Sequence, residues 1–387
     1  MVSNRAGTTA KVFWLLYLIF LLTPMTKPDL LIVGGGLIGC SIAHRLASEK
    51  LTVIIVERSD PGCEASWAAA GMLAPTSEHA EHPALQELAA AGAAMYPKWL
   101  ARLGQRAADE VGYSTEGTLA VAFTEAEAKA LVGLNSEPLT PAEARRLEPE
   151  LSDRIVAARL LPRDLQIDNR RLVAAVLTAA QRAGVEVRPQ TAVADIVIEA
   201  GRARGVRLVD GTLLEAGAVV NAAGCWSNQF GGESARYAPV RPVRGQMLAL
   251  RRPESSGLRH VVRSPRAYLV PRGDKLVLGS TMEDAGYDKS LTPAGLRGLL
   301  AGGIEIAPVV ASLPFADAWA GLRPDTPDHL PILGATDIAG YFVATGHFRN
   351  GILLAPITAE VMADVILGRS PAVPLDPFSP LRFASEH

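Results

Sequence analysis

The chain has 387 residues, 49% of them apolar and 20% charged, enough for a substantial core and for two domains or one interrupted domain. Its formal net charge of −2 gives no electrostatic ground for a nucleic-acid partner. Cys40, Cys63 and Cys225 are widely separated without CxxC spacing, and the seven histidines form no HxxxH or HxH pair. That usage excludes a disulfide framework or metal site from the expectations and suits a reducing, cytoplasmic location.

After Arg5 and Lys11 comes an uncharged apolar run, Val12 to Leu22. It is shorter than the roughly 20 apolar residues of a membrane span, and no A-x-A-like cleavage site follows it. Residues 1–25 are expected to be a dispensable or misassigned extension, a start at Met25 being one way to read it. A membrane tether or export signal and an ordered segment are the alternatives.

Asp29 to Val33 is a short apolar run that stops at three glycines and predicts a buried parallel strand. Ile38, Ile42 and Leu46 then recur at helical spacing, and Leu51 to Val56 predicts a second buried strand closing on Glu57. Together they form one βαβ unit, with the right-handed crossover such units take. Gly117 to Phe123 predicts a strand of antiparallel type. Asp168 is the expected N-cap of a helix through Leu172, Val176, Ala179 and Ala183, stopped by Gly184 and followed by strand Val185 to Arg188. Ala218 to Ala223 is a further apolar strand, ending at Gly224. Gln246 to Leu278 is expected to hold antiparallel strands with a turn at Gly273-Asp274. Strand Tyr341 to Thr345 leads through a glycine turn into a helix from Ile352 to Leu367, and residues after Arg369 are expected to form a loose tail.

Parallel elements at both ends with antiparallel ones between them predict an α/β (α+β overall) fold. A discontinuous Rossmann-like cofactor domain (26–108, 151–236 and 318–372) would be interrupted by an antiparallel substrate domain (109–150 and 237–317), leaving 373–387 as the tail.

Gly34-x-Gly36-x-x-Gly39 lies at the strand-to-helix turn, where a dinucleotide fingerprint works. The first glycine permits the turn, the second admits a pyrophosphate to the backbone, and the third lets helix and strand pack closely. Phosphates would sit on the helix N-terminus, where N–H groups and the macrodipole favour anions. Glu57, 21 positions after Gly36, is placed to accept from ribose hydroxyls. The fingerprint does not separate NAD from FAD.

Four further stretches carry a resemblance: Ala65 to Pro75, Asn221 to Ser227, Trp319 to Pro324, and Gly346-His347-Phe348-Arg349-Asn350-Gly351-Ile352. Together they resemble the glycine oxidases among the D-amino-acid-oxidase-like FAD oxidoreductases, over about Met25 to Gly368. The resemblance implies non-covalent FAD, and oxidation of glycine, with sarcosine and small D-amino acids as further substrates, to an imine that hydrolyses to the 2-oxo acid. Dioxygen would reoxidise the flavin and give hydrogen peroxide; the glycine imine would serve thiazole formation in thiamine biosynthesis, and the assembly would be a homotetramer. Related sarcosine oxidases attach flavin through a cysteine near the last motif, whereas no cysteine follows Cys225 here. By the same resemblance, Leu37 and Ile38 would meet the pyrophosphate, and Glu57 and Arg58 the adenosine ribose. Ala65, Ser66, Ala70, Gly71 and Met72 would line the phosphate and flavin region with Gly224, Val193 the adenine end, and His347 to Leu353 the isoalloxazine.

An amino-acid carboxylate in a partly dry site needs a fixed cation, and arginine offers a planar fork to both oxygens. Arg323 resembles the family's carboxylate anchor, Arg349 a second substrate contact and Tyr268 the tyrosine that bonds the carboxylate. Period two along Arg266 to Arg272 would place Arg266 on the face of Tyr268; some relatives carry histidine there. Met282 would line the substrate end or pack in the core. No general base stands out, in keeping with direct hydride release from a free amine. The competing readings are a membrane-associated D-amino-acid dehydrogenase that reduces quinone, and a non-catalytic sensor that binds flavin and amino acid.

Overall fold

The computed structural model describes residues 27–76, 82–104, 106–134, 136–253 and 257–384. The run Val12 to Leu22 and the start expected at Met25 lie outside the described residues. In chain order, the elements that position the site are β1 Leu30–Val33, α1 Leu37–Ala47, β2 Val53–Val56, α2 Asn169–Arg182, β3 Ala218–Asn221, β4 Arg241–Arg251, β5 Tyr268–Arg272, β6 Lys275–Gly279, β7 Phe315–Asp325, β8 Tyr341–Thr345 and α3 Gly351–Ile366.

A six-stranded sheet runs Ile332–Ala335, β8, β3, β1, β2, Glu186–Arg188. β1 is parallel to both neighbours, with Leu30 opposite Val53 on one side and Ala218 on the other. All four β1 residues are buried, as a strand covered on both faces requires. Leu30 and Ile32 pack with Ile42 and Leu46 of α1 and Leu354 of α3. Leu31 and Val33 face the other way, toward Ile196 and Val206 of a three-stranded sheet. Asp168 caps α2 by accepting from the backbone N–H groups of Arg170 and Arg171, and Gly184 ends that turn with φ +92°.

The second large sheet has eight strands in the order β7, β4, β6, β5, Val261–Arg263, Thr118–Ala122, Ala157–Leu161, Glu137–Leu139. Its pairs are antiparallel, except that Thr118–Ala122 runs parallel to Val261–Arg263. Helix Pro293–Ile306 covers one face through Leu299 and Ile306 against Leu248, Leu269 and Leu278. The opposite face, with Met247, Val270, Val277 and Trp319, packs against Ala68 and Ala70. Strand alternation thus gives the sheet one structural face and one face toward the site.

Two expected boundaries move. Residues 157–161 and 318–325, expected with the cofactor part, hydrogen-bond into the eight-stranded sheet instead. Gln246 to Leu278 resolves into parts of four strands around the predicted 273–274 turn. The segment expected to be a loose tail is packed: Phe378 is buried in the main core, and Arg382 pairs with Asp328 at 2.7 Å.

Candidate active site

The glycine turn opens one end of a cavity of about 490 Å³. Gly34 has φ +109°, and a Cβ there would lie 2.4 Å from the Ala222 carbonyl oxygen. A Cβ on Gly39 would lie 2.0 Å from the Gly34 carbonyl oxygen, so this glycine sets how closely α1 seats on β1. Gly36 differs: the nearest atom to its Cβ position is Ser66 Oγ at 3.5 Å, and the position lines the cavity. Neither N-cap residue, Gly36 of α1 nor Asn350 of α3, caps its helix with its own side chain; Ser66 Oγ accepts from Leu37 N–H (3.0 Å), and both starts, Gly36–Ile38 and Asn350–Ile352, line the same cavity. Two helix N-termini therefore offer their positive ends to one ligand, an arrangement suited to a pyrophosphate and to an electron-rich ring edge.

Glu57 sits at the end of β2, where its carboxylate accepts from Gly35 N–H (2.8 Å) and Ser59 N–H (3.0 Å). Those bonds fix its orientation while the residue still lines the cavity. Arg58 stacks over Trp226, 3.5 Å from the ring centroid, and pairs with Glu64 at 2.7 Å. Between these ends, Trp319 Nε1 donates to the Ala68 carbonyl (2.9 Å), which seats the Ala65–Ala68 turn on β7.

Arg323 and Tyr268 stand at the other end, and each depends on a glycine across the sheet. The Tyr268 ring covers Gly279, where a Cβ would come 2.5 Å from Cζ; its hydroxyl donates to Met247 Sδ at 3.4 Å. The Arg323 guanidinium lies over Gly245, where a Cβ would be 2.3 Å from both terminal nitrogens. It donates to Ser280 Oγ (2.7 Å) and to the Thr281 carbonyl (3.2 Å), which hold its plane. The Arg323 and Arg349 motifs meet where Phe348 N–H donates to the Pro324 carbonyl (2.9 Å). Arg349 is exposed on the cavity lining.

Of the residues expected to hold the cofactor, Gly34, Gly36, Leu37, Ile38, Glu57, Arg58, Ala65, Ser66, Ala70, Gly71, Met72, Val193, Gly224 and His347 through Ile352 all line this one cavity, with Tyr268 and Arg323. Gly39 serves the α1–β1 packing expected of the third glycine, and does not itself reach the lining among the cofactor contacts. Three expectations are corrected. Leu353 points into the core, because α3 turns its side chain away from the cavity by the next residue after Ile352. Arg266 lies in a turn closed by Ser264 N–H to the Ala267 carbonyl (2.8 Å), so strand alternation does not reach it; it pairs with Glu305 and with Glu127 (3.2 Å). Met282 is 63% exposed, in neither core nor lining. Sequence reasoning missed Ser280, Gly245, Gly279 and Met247. Glycines inside strands mark close approach and were the available signal for two of them.

His347 is buried with Nε2 3.0 Å from Thr358 Oγ1, and burial pushes its imidazole down to about 3. It is therefore neutral in the folded protein at physiological pH, not a cation beside the ligand. An unfolded histidine titrates near 6.5, so between about pH 6.5 and 3 the unfolded chain binds a proton that the folded chain does not. Its contribution is present above pH 6.5 and lost on acidification. His347→Gln should lose less thermal stability than the parent between pH 6.5 and 4; melting curves with equal acid slopes would exclude this residue as a source of acid sensitivity.

A family model described as FAD dependent oxidoreductase matches residues 29–365. The chain belongs to the FAD-dependent oxidoreductase family. It is 36% identical over 372 residues to the bifunctional protein ThiO/ThiG of Trichormus variabilis, covering 94% of this chain and 56% of that protein. The chain spans about half the length of the bifunctional relatives it matches. It is 34% identical over 363 residues to the glycine oxidase of Geobacillus kaustophilus, covering 91% of this chain and 96% of that one. The crystal structure of glycine oxidase from Geobacillus kaustophilus superposes with a TM-score of 0.86 at 33% identity, covering 94% of this chain and all of that one. FAD fits the observed site: two helix N-termini on one cavity with Ser66 at the first of them, a cavity position without a Cβ at Gly36, and an oriented carboxylate at Glu57. Among the described residues, no helix is long and apolar enough to cross a membrane.

Proposed function

We propose that this FAD-dependent oxidoreductase oxidises glycine, and more slowly sarcosine and small D-amino acids, to an imine that hydrolyses to the 2-oxo acid and ammonia, the glycine imine serving thiazole formation. The observation that carries the reading is the Arg323 guanidinium, held flat over Gly245 by Ser280 and Thr281 beside Tyr268, in the same cavity as the dinucleotide turn. A guanidinium fixed in this way binds a carboxylate without first paying for its own orientation. Tyr268 adds a hydroxyl, and Arg349 a second cation at the exposed margin.

FAD held by the glycine turn, Glu57 and the α3 start would supply the hydride acceptor and the link to dioxygen, with hydrogen peroxide as the second product. The protein's part is to clamp the acid group and position the amine. The carboxylates on the cavity lining, Glu57 and Glu64, belong to the Arg58 end, and His347 is held neutral by burial. Among the described residues no carboxylate base lines the cavity beside Arg323, which suits a substrate that enters with its amine unprotonated. The relatives named as glycine oxidases support glycine as the preferred substrate.

A peroxide assay across glycine, sarcosine, D-alanine and D-proline tests the reading. Glycine should give the highest kcat/KM and peroxide equal to substrate consumed. Turnover seen only with an added quinone would favour a dehydrogenase instead.

A further inference from the structure

Beyond the substrate sheet lies a second cleft of about 380 Å³ between the β5–β6 hairpin, β7 and the start of α2. Arg170, Arg171, Arg272 and Lys275 line it, together with Asp168, Asp274 and Asp317. Two of these carboxylates already face a cation of their own, Asp168 within the cleft and Asp274 at its rim. Asp168 accepts from the backbone of Arg170 (3.0 Å) and Arg171 (3.2 Å), and lies 3.5 Å from the Arg171 guanidinium. Asp274 stands at the exposed rim, 3.9 Å from Arg251. Once the Asp168–Arg171 pair is set aside, Arg170, Arg272 and Lys275 remain on the lining against Asp317, with Asp168 still acting on both arginines at longer range.

The two arginines are short of acceptors. Arg170 lies 3.5 Å from the Trp67 ring centroid and 4.5 Å from that of Trp319, and its Nη2 is buried without a hydrogen-bond partner among the described residues. The acceptor found for Arg272 among the described residues is the Ala70 carbonyl, where a guanidinium has five N–H donors. Burial is the largest influence on both and lowers their pKa; at Arg272 the pull of Asp168 opposes it and the Arg170 charge adds to it. Lys275 makes no ion pair among the described residues.

We propose that this cleft binds a dianionic phosphate group, free or carried on a small organic molecule, through Arg170, Arg272 and Lys275. Guanidinium forks match phosphate oxygens. A phosphate group carries about −1.5 to −2 near neutral pH, which balances the surplus where a carboxylate would offset only half. Ile167, Val277 and Trp319 give the cleft an apolar wall for an organic remainder. The site does not depend on the reaction proposed above, since it shares neither Arg323 nor Tyr268.

Calorimetric titration of the FAD-loaded protein with potassium phosphate, and separately with phenyl phosphate, tests it, each run against potassium chloride at equal ionic strength. The expected result is saturable single-site binding, weakened at least tenfold by Arg272→Gln and by Lys275→Gln and unchanged by Arg323→Ala. Lys275 is only half-buried beside a hairpin turn, so its variant folds even where loss of Arg272 disturbs the Ala70 region. Tighter binding of phenyl phosphate would identify a phosphomonoester as the occupant; equal or weaker binding would identify the free ion. The proposal is overturned if phosphate gives no heat beyond chloride, if acetate binds the cleft as tightly, or if binding survives Lys275→Gln and disappears in Arg323→Ala.

Discussion

Arg323→Ala should raise the KM for glycine by roughly 30-fold to several thousand-fold, while FAD content per chain stays at the parent level. The range corresponds to the about 2–5 kcal/mol lost when one partner of a buried charge-assisted pair is removed. The effect falls on substrate because the contacts of Arg323 run to Ser280 and Thr281, and its backbone remains in the β4–β7 ladder opposite Val243. Arg323→Lys should recover only part of the loss, since a point charge cannot reproduce the planar fork. Gly245→Ala should imitate the deletion without touching the arginine, because its Cβ would stand 2.3 Å from the guanidinium nitrogens. Ser280→Ala, which removes a hydrogen bond to a charged group, should cost about tenfold. Steady-state kinetics with flavin quantified from the visible absorbance separates these outcomes, and a parent-like KM in Arg323→Ala would refute the anchor.

Gly39→Ala should destabilise the protein by about 3 kcal/mol, the upper part of the range for overpacking, and leave it nearly free of FAD. The added methyl group would meet the Gly34 carbonyl oxygen at 2.0 Å and Ile32 at 3.3 Å, so it cannot be accommodated unless α1 lifts from β1. Gly36→Ala supplies the contrast. Its Cβ has 3.5 Å to its nearest neighbour, so the apoprotein should fold with the parent's melting temperature and still retain little FAD, because the methyl group stands in the cavity. Melting of the apo forms together with flavin stoichiometry tells packing from occupancy. If both variants held FAD at the parent level, the glycine turn would not be the cofactor site.

The parts of the fold that could be read from sequence are those fixed by neighbours along the chain. The βαβ unit, the Asp168 cap, the Gly184 stop and the Gly273-Asp274 hairpin turn each rest on local chemistry, and each appears where it was expected. The order of the eight-stranded sheet could not be read, because it joins Thr118–Ala122 to Val261–Arg263 across more than a hundred residues. The strand Ala157–Leu161 pairs with Thr118–Ala122 in that sheet, and not with the cofactor part, for the same reason. At the site, the motif residues converge because glycines and backbone turns direct them. Arg266 and Met282 fall outside the site because strand periodicity and motif proximity stop holding where the backbone turns. Ser280 carries no sequence mark, since its role exists only once β6 and β7 bring it to Arg323. Phe378 looked like part of a loose end because a single aromatic residue gives no period to read.

The most direct measurement is anaerobic mixing of the FAD-loaded protein with glycine while the visible absorbance is followed. The flavin bands should disappear in the parent at saturating glycine, and much higher glycine should be needed in Arg323→Ala. A spectrum that stays unchanged in the parent at any glycine concentration would contradict the account.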